Sequence, residues 1–270
     1  MVLIDQRRPP MKARGLFSAA VLATLALVSP LFAQTGGKET KIMIRAVARD
    51  AKVIGTHVGG AKITVKDAAT GAVLAQGMQQ GGTGDTDVIM KKPHTRGMVL
   101  YNSGDASGFL AVLHLDKPTV VEISAEGPLG NAQATQRSSK TMLLVPGEDV
   151  LGDGILLEIH GFIITPLAPL PDAKLKVGSP FEVRATVTMA CGCPTEPDGL
   201  WDANKIRVIA RILRDGKVQS EIPMTYAGVQ NTFHADVPAT TAGPIELQVL
   251  SLDPASANFG MTREAVTIVQ

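Results

Sequence analysis

Short runs in which apolar and polar residues alternate, each closed by glycine or proline, recur along the chain from Lys41 onward. In Ala61–Asp67, the apolar Ile63 and Val65 fall on one face and polar residues fall on the other. The run from Phe181 to Thr188 alternates in the same way. A period of two residues is typical of a half-buried strand and not of a helix. The sequence therefore predicts an all-β protein built mainly from antiparallel strands.

Turn residues between these runs predict hairpins. Asp67–Gly71 separates two alternating runs, and Asp215-Gly216 is a two-residue pair of the kind that closes a tight β-hairpin. Turn signals about 8 to 12 residues apart are typical of β-sandwiches. Other predicted strands cover residues 41–47, 97–101, 109–115, 119–124, 141–145, 155–164, 205–214, 218–224, 231–237, 245–252 and 265–269.

The length of 270 residues suits two domains, each large enough to bury a core. Three prolines between Thr165 and Pro171 predict a stiff, extended connection. We therefore predict two antiparallel β-sandwich domains in tandem, the first over residues 40–165 and the second over residues 175–270. A proline-rich linker over residues 166–174 joins them.

The N-terminal region has the pattern of a signal peptide. Two basic residues after Met11 precede an uncharged apolar run over residues 16–28, and Ala33 is a small residue at which a signal peptidase could cut. We predict that residues 1–33 are a signal peptide, with Met11 as its start, and that the mature chain is periplasmic or extracellular without a membrane span. The alternative is a retained N-terminal anchor, since the apolar run approaches the length that crosses a bilayer.

The balance of charge restricts the partners. The chain has 26 Lys and Arg against 25 Asp and Glu, a formal charge of +1, and no concentrated basic run. Nucleic-acid binding needs a basic face, so we expect another protein or an envelope component as partner. The glycine-rich stretch Gly81–Asp85 lacks the Lys-Ser or Lys-Thr pair of a phosphate loop and predicts a surface loop. Without a catalytic motif, we do not expect an enzyme.

Both cysteines lie in one short stretch, Cys191-Gly192-Cys193, with Met189 two residues before it. Three interpretations remain open. The pair could form a structural disulfide in an oxidising compartment. It could bind a soft metal such as Cu(I) together with the Met189 thioether. It could also exchange thiols. The spacing does not fit structural zinc sites, which keep two to four residues between cysteines.

Trp201, the only tryptophan, ends the same loop. It either covers the core or stands exposed as part of a partner surface. The histidines are scattered singly and give no metal motif. Of these, His57 and His94 lie in predicted loops and are better placed to join a site than the histidines within strands.

Two parts of the chain resemble known modules. Residues 178–185, 232–237, 242–247 and 265–269 resemble the plan of exported bacterial immunoglobulin-like modules, and residues 61–77 are similar to prealbumin-like, carboxypeptidase-regulatory-like repeats. The resemblance implies sandwich folds and supplies no catalytic motif. The sequence thus favours an exported, non-enzymatic binding or accessory protein, and the alternative is a copper-binding or thiol-active periplasmic protein that uses Met189, Cys191 and Cys193.

Overall fold

The computed structural model describes residues 36–170 and 173–270. The predicted signal peptide and its cleavage site lie outside this part of the chain. Within it, β-strands account for nearly all regular structure: β1 Lys38–Ala48, β2 Ala61–Asp67, β3 Val73–Gln79, β4 Phe109–Leu115, β5 Thr119–Gly127, β6 Gln136–Leu144, β7 Val150–Ile159, β8 Phe162–Ala168, β9 Lys174–Lys176, β10 Pro180–Met189, β11 Arg207–Arg214, β12 Lys217–Tyr226, β13 Thr232–Pro238, β14 Gly243–Asp253 and β15 Asn258–Val269.

Helical structure is limited to three short turns in these residues, at Thr56–Val58, Asp87–Lys91 and Ala203–Lys205. None of them has the length and apolar character that a membrane-crossing helix needs. The all-β prediction is confirmed.

A three-stranded sheet and a four-stranded sheet form the first sandwich. Their strand orders are β4-β1-β7 and β3-β2-β5-β6. Ile42 and Ile44 on β1 share a fully buried core with Ile63 on β2 and Ile123 on β5. Within this sandwich all neighbouring strands are antiparallel except β1 and β7, which run parallel and therefore depart from the simple antiparallel prediction.

The second sandwich is one eight-stranded sheet in the order β8-β10-β13-β12-β11-β14-β15-β9. Strand β12 pairs with β11 along most of its length but with β13 only through Thr225 and Tyr226. This short contact is where the sheet passes from one layer to the other. The predicted alternation on β10 is confirmed, because the odd-numbered residues from Phe181 to Met189 are all buried.

Both predicted hairpin turns are present. Asp215 and Gly216 have φ values of 51° and 72°, the left-handed pair that a two-residue hairpin requires, and they join β11 to β12. In the other turn, Asp67 Oδ1 accepts hydrogen bonds from the Thr70 and Ala69 amides at 2.8 and 2.9 Å. The Thr70 amide bond is the main reason that the pKa of the Asp67 carboxyl lies below its usual value.

The predicted strand at residues 97–101 is wrong. The backbone N–H groups of Leu100 and Tyr101 donate to the Asp153 carboxylate at 2.9 and 2.7 Å, so this segment does not join a strand ladder there. It belongs to a long connection between β3 and β4 that also contains the predicted glycine-rich loop.

The single strand predicted over residues 155–164 is two strands. Strand β7 ends at Ile159 and β8 begins at Phe162, and Gly161 between them has a φ of 121°. Strand β8 then pairs with β10, so it belongs to the second sandwich, and it includes residues 166–168 of the predicted linker. The described residues, 36–170 and 173–270, form one compact unit. The division into two domains at residues 166–174 remains a prediction.

One buried polar side chain connects the end of β3 to β1. Gln79 has no exposed surface, and its Oε1 accepts a hydrogen bond from the Ala46 amide at 2.7 Å. Its Nε2 donates to the carbonyl oxygens of Ala46 and Ile54, each at 2.9 Å. The side chain thereby pairs three buried backbone groups, the Ala46 amide and the carbonyl oxygens of Ala46 and Ile54.

Candidate functional site

The cysteine loop directly follows β10. Cys191 and Cys193 are joined as a disulfide, with their α-carbons 5.4 Å apart, within the usual range for such bonds. Both side chains are buried. The Gly192 amide donates to the Met189 carbonyl at 2.7 Å, and the Met189 amide donates to the Cys193 carbonyl at 3.1 Å. Backbone hydrogen bonds therefore hold the loop closed independently of the sulfur atoms.

Gly192 brings the loop against the first sandwich. Its φ of 73° lies in the left-handed region, and a Cβ placed there would come within 2.6 Å of His57 Nε2 and 2.7 Å of Val58 Cγ1. A larger residue would therefore be strained in its backbone and would collide with its neighbours. Glycine between the cysteines allows the disulfide loop to pack on the loop that carries His57.

Trp201 adds a second contact between the sandwiches. Its Nε1 donates to the Asp50 carbonyl at 3.0 Å, and its half-buried ring packs against the core. The Glu196 amide donates to the Trp201 carbonyl at 3.2 Å and folds the loop back on itself. This arrangement matches the interpretation in which the tryptophan covers a core. The partner-surface interpretation of Trp201 remains a prediction.

A third contact surrounds Asn258, which has no exposed surface. Its Oδ1 accepts from the Gly161 amide at 2.7 Å, and its Nδ2 donates to the Arg49 carbonyl at 3.2 Å. The Arg49 guanidinium donates to the Ser256 carbonyl at 3.2 Å and also contacts the Glu158 carboxylate at 3.2 Å. We call the contacts of Gly192, Trp201 and Asn258 with the first sandwich the joint.

An open cleft of about 680 Å³ lies beside the joint and is lined by Arg49, Asp50, Lys205 and residues 253–256. Its charged groups are largely engaged in local contacts. Arg49 pairs with Glu158, and the Asp253 carboxylate accepts hydrogen bonds from the Ser256 hydroxyl and the Ala255 amide. The geometry thus favours a structural role for these side chains over a reactive one.

Of the predicted metal ligands, Cys191 and Cys193 form a disulfide and Met189 is a side chain of the core. Met189 is buried as the last inward residue of β10, and the two sulfur atoms that could serve as thiolates are bonded to each other. Within residues 36–170 and 173–270, no group of three or more His, Cys, Asp or Glu side chains is placed to hold a metal ion. Copper binding or thiol exchange by this loop remains a prediction that requires reduction first.

The two loop histidines have different surroundings. His57 lies beside Gly192, as described above, whereas His94 Nε2 lies 3.0 Å from the Val88 carbonyl oxygen within its own loop. The sequence interpretation missed Arg49 and Asn258 altogether. Their partners lie from 97 to 209 positions away along the chain, and neither residue belongs to a recognisable local motif.

Comparison with solved structures gives weak similarity only. No family model and no curated protein matches the chain. Fibronectin(III)-like modules of Clostridium thermocellum CbhA are 12% identical, with 85% of this chain and 92% of that chain covered and a TM-score of 0.27. A chimeric titin Z1Z2-Z1Z2 tandem is 13% identical, with 86% and 91% covered and a TM-score of 0.23. The ICAM-5 D1-D4 ectodomain fragment is 17% identical, with 86% and 50% covered and a TM-score of 0.25. At these values the comparisons carry no inference about binding or activity.

Proposed function

We propose that this chain is an exported, non-enzymatic binding or accessory protein of the periplasm or cell surface. Its partner would be another protein or an envelope component. The observation that carries the proposal is the bonded Cys191–Cys193 pair, because disulfides form and persist in exported compartments and are rare in the cytosol. The mature chain would begin at Gln34, after removal of the predicted signal peptide.

The joint supports the accessory role. Gly192, Trp201 and Asn258 each contact the first sandwich through a close approach or a hydrogen bond. Contacts at three places restrict rotation of one sandwich against the other more than a single linker would. Two sandwiches joined in this way would keep their outer sheet faces at fixed angles to each other. A fixed arrangement of faces suits a protein that presents surfaces to a partner.

Cell fractionation of the full chain in a bacterial host tests the proposal. The expected product is found in the periplasmic or extracellular fraction, has the mass of a chain starting at Gln34, and is not alkylated at cysteine unless it is first reduced. An Ala33→Asp variant is the matched control and should stay uncleaved, since the peptidase requires a small residue at this position. A cytosolic product with two alkylated cysteines would refute export and the disulfide together.

A further inference from the structure

The outward face of the four-stranded sheet shows what an exposed sheet face looks like in this protein. On β2 and β5, Lys62 lies opposite Glu126 and Lys66 lies opposite Glu122. Antiparallel sheets with one face in water normally carry polar residues on that face. The first sandwich follows this rule at these positions, whereas at one end of the same face the paired Val120 and Leu143 are 47% and 55% exposed.

The outward face formed by β11, β14 and β15 does not follow it. Leu252 lies opposite Phe259, and Leu250 lies between Ile209 and Met261. Phe259 is 51% exposed and Met261 is 36% exposed. Leu250 and Leu252 are half-buried and Ile209 is buried beneath them, and we call these five residues the apolar face. Because the inward residues of the same strands already fill the core, exposed apolar residues here mark an interaction surface.

A groove adjoins the apolar face. It has a volume of about 260 Å³ and runs between β15 and residues 133–136 of the first sandwich. Its walls include Leu250, Phe259 and Met261 together with the side chain of Gln133. A groove of this size accommodates a single bulky side chain, and its lining combines apolar atoms with polar groups, as ligand sites generally do.

The backbone of β15 also faces this groove. The Arg263 amide donates to Gln133 Oε1 at 2.8 Å, so this N–H is directed away from the ladder with β14. Alternate residues of a strand direct their backbone groups to the same edge. Strand β9 pairs with this edge only from Thr267 to Val269. Gln133 occupies the Arg263 N–H, and Gly161 lies close to the Phe259 carbonyl oxygen. The main chain of β15 beside Met261 is therefore bordered by the protein's own residues, and the groove is open to side chains of a partner.

Two arginines border the apolar face. Arg207 lies opposite Leu252, and Arg263 lies two residues beyond Met261 on the same side of β15. Within the part of the chain that the structure describes, neither guanidinium forms an ion pair, whereas the neighbouring Arg211 pairs with Glu221. These two guanidinium groups place positive charge at the border, while the Glu246 carboxylate on the same side of β14 accepts a hydrogen bond from the Gln248 side chain. The positive border complements an acidic partner and would oppose a second copy of the same face.

We propose that the apolar face and its groove dock an acidic peptide segment of another protein. A bulky apolar side chain of the segment enters the groove beside Met261, and its flanking carboxylates meet Arg207 and Arg263. The inference rests on the proposed binding role and names the surface and the chemistry of its partner.

Fluorescence anisotropy with two labelled peptides tests this proposal. The probe is the sequence Glu-Asp-Phe-Leu-Asp-Glu, and its counterpart carries lysine at every acidic position. The acidic peptide should bind the mature disulfide-bonded chain at least about tenfold more tightly, because the border charges attract one peptide and repel the other. Added salt should weaken that binding, since the arginines are exposed to solvent.

Variants locate the binding. Phe259→Ser and Arg263→Glu should each weaken binding of the acidic peptide by about tenfold or more, as buried aromatic and arginine anchors do. Leu143→Ser and Lys62→Glu are matched controls on the outward face of the four-stranded sheet and should leave the affinity unchanged; Leu143 is 55% exposed, close to the value for Phe259. Circular dichroism confirms that each variant is folded.

Several results would overturn the inference. These are equal binding of the two peptides, no binding of either, and equal losses in the control variants. If the chain binds no peptide but sediments with phosphatidylglycerol vesicles in a way that requires Phe259, the surface is a membrane-binding site. If light scattering instead shows a dimer that requires Phe259, the surface binds a second copy of the chain. An exported, disulfide-bonded chain that binds no peptide refutes this inference alone, whereas a cytosolic chain with free thiols refutes the proposed function.

Discussion

Replacing Gln79 by leucine should reveal how much one buried amide contributes to the first sandwich. Leucine is of similar size but has no polar atoms, so the Gln79→Leu variant removes three hydrogen bonds at once. The two carbonyl oxygens keep other partners: Ala46 O still accepts from the Ile54 amide at 3.1 Å, and Ile54 O still accepts from the Ser107 hydroxyl at 2.9 Å. The Ala46 amide, on the same strand edge as its carbonyl, loses its partner.

The magnitude follows from that difference. A buried N–H without a partner costs about 1–3 kcal/mol, and each further neutral hydrogen bond contributes about 0.5–1.5 kcal/mol. The greater apolar character of leucine offsets part of the loss, by about 1–2 kcal/mol. We therefore expect the free energy of unfolding to fall by about 1–4 kcal/mol.

Urea unfolding followed by far-ultraviolet circular dichroism measures this change. The control is Gln76→Leu on the same strand, where the exposed Gln76 makes one side-chain hydrogen bond, to Thr64 at 3.1 Å. The control should lose less than about 1 kcal/mol. A Gln79→Leu protein within about 0.5 kcal/mol of the wild type, the range of an ordinary surface substitution, would show that the amide network does not stabilise the fold as argued.

A Gln79→Glu variant gives the same test a pH dependence. The new carboxylate would be buried and would face the Ala46 and Ile54 carbonyl oxygens, so its pKa in the folded state should lie above the unfolded value of about 4.3. Unfolding would then release a proton above that pH. The variant should therefore lose stability as pH rises from the acid range toward neutrality, by up to about 1.4 kcal/mol per pH unit. A melting temperature that follows the wild type at every pH would contradict this reasoning.

Three further outcomes are expected. The double variant Cys191→Ser, Cys193→Ser should lose less than about 2 kcal/mol in urea unfolding, because a three-residue ring restrains little of the unfolded chain, and the unreduced wild type should take up no Cu(I). A much larger loss would make the bridge a main source of stability. Trp201→Phe should cost about 1 kcal/mol through its lost hydrogen bond, and no change would mean that water replaces the indole N–H. Because hydrogen bonds lower the pKa of Asp67, its carboxylate should stabilise the turn above the unfolded pKa and cease to do so as pH falls through the folded pKa; an NMR titration with an unshifted Asp67 would refute this.

The parts of the fold that the sequence could predict are those fixed by neighbours in the chain. The alternation along β10 and the turn at Asp215-Gly216 depend only on the period of a strand and on left-handed backbone preferences. The strand predicted at residues 97–101 failed because its amides bond to Asp153, some fifty positions further along the chain. Nothing in a local pattern reports such a partner.

In the candidate site, too, features fixed by neighbouring residues could be predicted and contacts between distant residues could not. The cysteine spacing indicated a disulfide as one of three interpretations, and the residues alone could not choose among them. That Gly192 packs beside His57, and that Asn258 hydrogen-bonds to Arg49, depends on how two sandwiches meet in space. Neither contact has a fixed spacing that could be read from the chain.

The crossing from β7 to β8 at His160 and Gly161 limits where the length of this chain can change. His160 Nδ1 lies 3.0 Å from the Ala257 carbonyl oxygen, and the Gly161 amide is bonded to Asn258, so both crossing residues are anchored. One inserted residue would break these bonds or turn the inward side chains of β8 outward, because strand faces alternate at every residue. Insertions and deletions should therefore be tolerated in the long connection between β3 and β4 and excluded from this two-residue crossing.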